Sequence, residues 1–491
     1  MTRRWSIVII APALFIAALA QSPRDKTNAQ RPTPSSDSSA VRIARIIAGL
    51  PPAAIIKGST PAYPSLATQM SRYNVPGLSI AIADHGRIVW AGGFGVKTTG
   101  TNDLVTATTL FQAASISKPI TATATLRLVD EGKLALDENV NTYLKSWKVP
   151  DNEFTKTEKV TLRRIMSHSA GLTVSGFPGY SVTAPLPTLP QILDGEPPAN
   201  TRPVRVDVVP GSIRRYSGGG VTVEQLVLTD IVGKPFPDLM KRLVLAPIGM
   251  THSTFEQELT PALQSQTASA HDNGAPVPGR YHVYPEMAAA GLWTTPTDLL
   301  KWAIEVTAAR AGRSTKVLSR EMATQMLTPQ NEDNGLGPAL EGTGKSFRFL
   351  HAGGNFGFGC HLVYFPETGQ GAVIMFNGGR GFIVGELLHA IAAEYHWPGL
   401  QTAVLEPIDI DSAGLDRYVG KFTQGRESVS LSQQEDRLYF TSTSGRTDEV
   451  VLVARDKFVI LWSGNEGTVT FDSTGRPAAL RVFGTVFQRQ Q

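Results

Sequence analysis

The sequence predicts an α+β fold in which an antiparallel sheet is flanked by helices, followed by a small all-β domain that is a barrel or a sandwich. Strand-rich hairpins stand at both ends of residues 61–398, and helical patterns fill the interval between them. Strands from distant segments can pair in one sheet with helices packed on it. In the tail, residues 410–491, short alternating strands are separated by turns rich in Gly, Asn, Asp and Ser.

The predicted elements follow from hydrophobic period and from turn residues. The helix over 117–131, for example, has Pro119 near its start and Gly132 just after its end. In chain order, residues 61–398 are predicted to form a helix over 66–73, a hairpin after Gly77 that turns at Asp84-His85-Gly86, a helix over 117–131, a helix from Thr161, a surface loop over 173–210, helices over 221–232, 237–245 and 298–309, a hairpin over 361–379 and a final helix over 383–395.

Composition indicates a globular enzyme without a nucleic-acid partner. The chain has 491 residues, of which 42% are hydrophobic and 18% charged, and its formal net charge of +4 forms no basic stripe. Cys360 has no second cysteine to pair with, and its place in a predicted strand favours a buried, unreactive thiol. No two histidines stand at metal-ligand spacing with an acid, so we predict neither a metal site nor a cofactor.

The N-terminus predicts export. Two arginines precede an uncharged run over residues 5–20 that ends in Ala18-Leu19-Ala20, which is typical of a signal peptide over 1–20. An uncleaved anchor is the alternative, although the run is shorter than the ~20 residues that span a bilayer. We therefore expect a periplasmic or secreted protein with no stable membrane insertion after cleavage. Residues 21–60 are predicted to be a disordered spacer and a short docking segment.

The segment Ser115-Ile116-Ser117-Lys118 lies where a predicted strand meets a predicted helix. A serine hydroxyl is a weak nucleophile until a base takes its proton. At the head of a helix, residues three apart share a face, which brings the Lys118 amine beside the Ser115 hydroxyl. To act as a base, the lysine must be partly desolvated. Because Ser-x-x-Lys also arises by chance, it is the position between strand and helix that favours a catalytic role.

Five segments, in their order along the chain, resemble the serine β-lactamase and penicillin-binding protein superfamily, and most of all its branch of class C β-lactamases, D-alanyl-D-alanine carboxypeptidases and esterases. The resemblance covers about residues 60–396, and the tail resembles the lipocalin-like β-barrel appended to some of these hydrolases. The segments are FQAASISKP (111–119), TLRRIMSHSAGL (161–172), PGSIRRYSGGG (210–220), APIGMTHSTF (246–255) and HAGGNFGFG (351–359).

This resemblance implies roles for the residues that match the family's motifs. Ser115 becomes the nucleophile, Lys118 its proton acceptor and Tyr216 a partner in proton transfer. The backbone N–H groups of Ser115 and Gly354 are expected to hold the oxyanion. From the residues alone, Tyr216 is better interpreted as a packed loop tyrosine. The implied substrate-binding or oxyanion residues are Ser217, His351, Gly353 and Gly354.

The sequence departs from the family pattern at two positions. His351 stands where the commonest third motif has lysine, and Gly218 stands where many relatives have asparagine. A neutral imidazole binds a carboxylate less strongly than a lysine does, and glycine offers no side-chain amide. Both departures argue against an efficient β-lactamase and leave acyl-enzyme chemistry intact.

We therefore expect an exported serine hydrolase with β-lactamase-type, carboxypeptidase or esterase activity. Its substrate would be a small molecule or peptide: a β-lactam, a D-amino-acid peptide or an ester. Alternatives are a non-catalytic protein of the same fold that binds peptidoglycan or β-lactams, and a β domain that caps the site and restricts substrate size. His168 is a conceivable triad base, but a structural role is favoured because Lys118 and Tyr216 already fill the base role.

Overall fold

The computed structural model of the chain describes residues 38–379 and 381–490. The predicted signal peptide and residues 21–37 of the predicted spacer lie outside the described residues. Within those two ranges, no helix combines the length and apolar character that a bilayer crossing needs.

Helices and strands are distributed along both described ranges. In chain order, the helices are α1 (Ser39–Ala48), α2 (Leu66–Arg72), α3 (Ser117–Asp130), α4 (Leu162–Met166), α5 (Leu189–Asp194), α6 (Gly218–Val232), α7 (Phe236–Met240), α8 (Ala246–Ile248), α9 (Pro261–Gln264), α10 (Met287–Ala290), α11 (Pro296–Arg310), α12 (Arg320–Met326), α13 (Phe382–Glu394) and α14 (Ser412–Asp416). The strands are β1 (Ala54–Ile56), β2 (Gly77–Asp84), β3 (Arg87–Gly95), β4 (Phe111–Gln112), β5 (Tyr180–Ser181), β6 (His271–Asp272), β7 (Ala275–Pro276), β8 (His282–Val283), β9 (Trp293–Thr294), β10 (Ala339–Glu341), β11 (Arg348–Asn355), β12 (Phe358–Phe365), β13 (Gln370–Phe376), β14 (Ala403–Leu405), β15 (Gly420–Gln424), β16 (Glu427–Gln434), β17 (Arg437–Thr441), β18 (Thr447–Ala454), β19 (Lys457–Ile460), β20 (Glu466–Phe471), β21 (Pro477–Val482) and β22 (Thr485–Arg489).

The central sheet has six strands in the order β10-β11-β12-β13-β2-β3, and each neighbouring pair is antiparallel. The early hairpin β2–β3 joins the late strands where Gly371 pairs with Ala83 and Phe376 with Leu78. Almost 300 residues of chain separate these partners, and the helices fill that interval. The prediction of an antiparallel sheet flanked by helices is confirmed.

The two faces of this sheet carry two different helical layers. Ile80 and Ile82 on β2 pack with α13 and α1, whereas Ala81 and Ala83 point to the layer that contains α3 and α11. This alternation follows from the two-residue period of a strand. Because both faces are covered, β2 and β13 are buried along almost their whole length, as a central strand covered on two sides requires.

The C-terminal strands β15 to β22 form a closed eight-stranded barrel. Pairing of β15 with β22 closes it, which removes the free edges that a sandwich would leave. Its interior is apolar and includes the fully buried rings of Phe422, Phe440 and Phe458. Of the two architectures predicted for the tail, barrel and sandwich, the structure has the barrel.

Arg446 of the barrel joins it to the rest of the protein through an aromatic contact. Its guanidinium carbon lies 3.6 Å from the centroid of the Trp462 ring and 4.4 Å from that of Phe382. Beside them, Glu386 accepts hydrogen bonds from Tyr73 (2.7 Å) and Trp462 (2.8 Å).

The barrel residues contact α13, which carries Phe382 and Glu386 and lies on the face of the sheet opposite to α3. Because Ser115 lies at the start of α3, these contacts give no support to the hypothesis that the barrel caps the site.

The segment before the sheet also contacts the barrel. Helix α1 packs against α13, and β1 pairs in parallel with β14, which leads into the barrel. The amide groups of Ala53 and Ala54 donate to carbonyl groups of Trp462 and Leu461. The sequence predicts a short docking segment here, but not the strand, because its partner lies about 350 residues further along the chain.

The predicted surface loop over 173–210 is wrong in part, because it contains β5 and the short helix α5. Thr188 caps α5 and exchanges hydrogen bonds with Gln191, and Gly195 ends the helix with φ of +66°. These are ordinary helix signals. Six residues are too few to show a hydrophobic period, so the helix was missed.

Glu224, on α6, provides a test of stability against pH. Its side chain is buried, one oxygen accepts a 2.6 Å hydrogen bond from Thr125, and the other has no partner within residues 38–379 and 381–490. Burial raises the pKa of this carboxyl to about 8. The folded protein therefore binds the proton more tightly than the unfolded chain, whose glutamate pKa is about 4.3. The resulting stabilisation is complete below pH ~4.3 and is lost as pH rises to about 8.

We expect Glu224→Gln to gain stability relative to the wild type across this interval, by on the order of a few kcal/mol at pH 8.5. Urea unfolding at pH 4, 6 and 8.5 measures the difference. The exposed Glu256→Gln removes a carboxyl elsewhere and serves as control. The expectation would be contradicted if the difference in unfolding free energy between Glu224→Gln and the wild type were the same at all three pH values.

Candidate active site

Ser115 lies in a single 3₁₀ turn, Ala114–Ile116, between β4 and the start of α3. It is partly exposed, whereas its immediate neighbours are buried. Ala114 has φ of +47°, a backbone conformation that non-glycine residues rarely adopt. Such strain is common where a reactive side chain is held in place. The structure thus presents Ser115 between a strand and a helix, in the setting that the sequence predicted.

Lys118 contacts Ser115 directly. Its Nζ lies 2.8 Å from the Ser115 Oγ and 2.8 Å from the carbonyl oxygen of Ala289, on α10. The lysine is only 4% exposed. Because the amine is buried and contacts both of these oxygen atoms, it is held in one orientation, facing the Ser115 hydroxyl.

Tyr216 lies beside Lys118 and between two histidines. The Lys118 Nζ is 5.0 Å from the centroid of the tyrosine ring. The ring centroids of His168 and His351 lie 4.3 and 6.4 Å from that of Tyr216. The structure therefore brings the three predicted catalytic residues, Ser115, Lys118 and Tyr216, into one group.

Ser217 acts as the cap of α6. Its hydroxyl accepts a 2.8 Å hydrogen bond from the Gly220 amide and donates a 2.9 Å hydrogen bond to the carbonyl oxygen of Thr173. Both contacts are to the backbone and the residue is buried. This arrangement orients the preceding Tyr216, and it leaves the Ser217 hydroxyl engaged within the protein.

His168, for which the sequence favours a structural role over that of a triad base, lies against Tyr216. Its Nδ1 accepts the amide hydrogen of Ser217 at 3.3 Å, which places the proton of a neutral ring on Nε2. That nitrogen is buried and has no partner among the described residues. Burial, followed by the charge of Lys118, holds the pKa of His168 well below its usual value. A neutral ring in tilted contact with Tyr216 is suited to positioning the phenol.

Strand β11 passes very close to the turn that carries Ser115. A Cβ atom on Gly353 would lie 2.4 Å from the Ala113 carbonyl oxygen and 3.0 Å from the Ser115 nitrogen, so only glycine fits there. A Cβ on Gly354 would meet nothing within 4 Å. Cys360, on the next strand, is buried, and burial raises the pKa of its thiol. The Ser115 amide and the edge of β11 therefore stand side by side, as an oxyanion site needs.

His351, also on β11, is neutral. Its Nδ1 lies 2.7 Å from the carbonyl oxygen of Ala352. Burial, with a smaller contribution from the Lys118 charge, lowers the pKa of this imidazole to about 3.

In the described part of the chain, no group of three or more His, Cys, Asp or Glu side chains is placed to hold a metal ion.

Comparisons with known proteins agree with this geometry. A family model described as Beta-lactamase matches residues 65–395. The chain is 28% identical over 202 residues to penicillin-binding protein 4 of Amycolatopsis lactamdurans, covering 41% of this chain and 50% of that protein. It is 25% identical over 346 residues to a β-lactamase of Pseudomonas fluorescens, covering 63% of this chain and 90% of that protein. The match thus spans only half the length of the penicillin-binding protein.

A solved structure supports the fold alone. The structure of the octameric penicillin-binding protein homologue from Pyrococcus abyssi superposes with a TM-score of 0.57 at 21% identity. The superposition covers 87% of this chain and 97% of that one.

Proposed function

The chain belongs to the β-lactamase family, and from that membership we propose that it is a serine hydrolase that works through an acyl-enzyme on Ser115. The observation that carries this proposal is the 2.8 Å contact between the Lys118 amine and the Ser115 hydroxyl. A serine needs a base within hydrogen-bonding distance to become a nucleophile. A purely binding site has no need of that contact.

In the proposed acylation step, the Ser115 Oγ attacks the substrate carbonyl carbon while Lys118, in its neutral form, takes the hydroxyl proton. The developing oxyanion accepts hydrogen bonds from the backbone N–H groups of Ser115 and Gly354. Tyr216, which lies against Lys118, passes the proton to the leaving amine or alkoxide. Donors fixed before the reaction stabilise the transition state without reorganising.

Deacylation follows the same route in reverse. A water molecule attacks the acyl-enzyme, and the Lys118–Tyr216 pair accepts its proton and returns a proton to Ser115. The neutral His168, whose ring centroid lies 4.3 Å from that of Tyr216, keeps the phenol in place during both steps.

We propose an exported enzyme, periplasmic or secreted, on the basis of the uncharged N-terminal run. The substrate classes compatible with an acyl-enzyme are β-lactams, D-amino-acid peptides and esters. The mixed naming of the relatives, a penicillin-binding protein and a β-lactamase, favours none of these classes alone.

The proposal is tested by the intact mass of the wild-type protein after incubation with a fluorophosphonate, and separately by hydrolysis of nitrocefin. We expect a single fluorophosphonate adduct, and peptide mapping should place it on Ser115. Heat-unfolded protein is the control and should remain unlabelled. A folded protein that neither reacts with the fluorophosphonate nor hydrolyses nitrocefin would favour a non-catalytic binding protein instead.

A further inference from the structure

Three features around Ser115 affect which substrates the site can bind, and the first is Gly218. A Cβ atom at this position would lie 3.0 Å from the carbonyl oxygen of Ser175 and 3.1 Å from Cε2 of the Phe177 ring. Both distances are tighter than ordinary contacts, so a side chain here requires the Ser175 carbonyl group and the Phe177 ring to move by a few tenths of an ångström. The segment before β5 thus places a carbonyl group and an aromatic ring beside Gly218, which is two residues from Tyr216.

The second feature is the protonation of His351. A carbonyl oxygen only accepts hydrogen bonds, so the 2.7 Å contact with Ala352 requires the proton on Nδ1. In the neutral ring, Nε2 is then an acceptor, and it has no partner among the described residues. A carboxylate is also an acceptor only, so it gains nothing at Nε2 and is repelled by the lone pair.

The third feature is that the nearby basic side chains already have partners. The Lys118 amine is already held by Ser115 and the Ala289 carbonyl group. The guanidinium of Arg214, two residues before Tyr216, lies 2.9 Å from a carboxylate oxygen of Asp333. Neither basic side chain is free to recognise a substrate carboxylate.

An aromatic surface stands at the end of β11. Phe356 is 41% exposed, and the ring of His282 stacks on it with centroids 4.6 Å apart. The Phe356 amide donates a 2.9 Å hydrogen bond to the Tyr284 hydroxyl, which fixes its backbone. Phe356 follows Gly353 by three residues and lies in the turn between β11 and β12, so at most about 10 Å of chain separates them. An apolar group attached to a carbonyl at Ser115 can reach this surface.

We propose that the cleft selects uncharged esters or amides that carry an apolar group, and discriminates against substrates with a carboxylate near the scissile bond. This inference rests on the proposed function and narrows it. Leaving a carboxylate without a partner in a partly buried cleft corresponds to about a 10- to 100-fold loss in kcat/KM.

The experiment compares two esters that differ in one charge: methyl 3-acetoxybenzoate and 3-acetoxybenzoate. Each kcat/KM of the full chain is divided by the rate of spontaneous hydrolysis, which corrects for the leaving group. We expect the wild type to favour the methyl ester at least 10-fold. In His351→Lys that preference should fall at least 10-fold, whereas the uncharged His351→Met should keep it.

A second measurement needs no variant. Phenylboronic acid should protect the wild type from fluorophosphonate labelling at an at least 10-fold lower concentration than 3-carboxyphenylboronic acid. Equal protection, or a wild type that hydrolyses the carboxylate ester as fast as the methyl ester, would overturn the inference and leave the serine hydrolase proposal standing. If neither ester is hydrolysed and no fluorophosphonate adduct forms, the proposed function fails first and the inference falls with it.

The apolar part is tested by chain length. The ratio of kcat/KM for p-nitrophenyl hexanoate to that for the acetate should be several-fold higher in the wild type than in Phe356→Ser. The exposed Phe483→Ser, on the barrel, is the matched control. An unchanged ratio in Phe356→Ser would remove the aromatic surface from the inference.

Discussion

Ser115→Ala should lose at least about 10⁴-fold in turnover and form no fluorophosphonate adduct, because the nucleophile carries the covalent step. The nearest serine along the chain cannot replace it. Ser117 is fully buried, and its hydroxyl accepts a 3.0 Å hydrogen bond from the Leu292 amide. Intact mass with the fluorophosphonate and steady-state hydrolysis of the best ester both measure the loss.

Ser117→Ala is the matched control, since it removes a hydroxyl from the same four-residue motif. It should retain labelling and turnover within a few-fold, with a stability loss of about 1 kcal/mol from the missing hydrogen bond. Labelling that survives in Ser115→Ala and disappears in Ser117→Ala would show that the nucleophile is assigned to the wrong serine of the motif.

The parts of the site that depend on local geometry could be predicted from the sequence. At the head of a helix, a lysine three residues after a serine lies on the same face as that serine. In the structure, the Lys118 Nζ lies 2.8 Å from the Ser115 Oγ. The close approach of β11 was implied by the family motif at Gly353. The structure explains the glycine, because a Cβ would collide with the Ala113 carbonyl group.

What could not be predicted depends on contacts between distant segments. No local signal shows that the Ala289 carbonyl group is the second partner of Lys118, because 171 residues separate them. The contact between His168 and Tyr216 could not be predicted for the same reason, because the two residues are far apart in the sequence. A positive φ at His168 (+58°) is visible only in the structure, and no local pattern distinguishes this histidine from the others.

The docking of the barrel is a similar case. Alternating strands and turns predicted a separate β domain. They predicted neither that its strands close into a barrel nor which part of the protein the barrel contacts. That contact depends on the Arg446 guanidinium, which lies over the rings of Trp462 in the barrel and Phe382 on α13. A cation over aromatic rings is recognised by geometry and has no sequence period.

The pair Lys118 and Tyr216 offers the second large effect. Lys118→Met removes the amine and leaves the Ser115 hydroxyl without its partner. We expect the rate of fluorophosphonate labelling to fall about 10²- to 10⁴-fold, the usual contribution of a positioned base. Lys133→Met, an exposed lysine just after α3, is the control and should label at the wild-type rate. A Lys118→Met variant that is folded and labels within 10-fold of the wild type would exclude this lysine as the base.

The double variant decides whether the two side chains act as one unit. Tyr216→Phe keeps the ring in contact with His168 and removes only the hydroxyl, so the loss in rate reports on proton transfer rather than packing. If the proton passes through both groups, the double variant Lys118→Met/Tyr216→Phe should be no slower than the worse single variant within a few-fold. If each group acts alone, the two losses should multiply. The 5.0 Å between the Lys118 Nζ and the centroid of the Tyr216 ring favours the first result, because groups in contact seldom contribute additively.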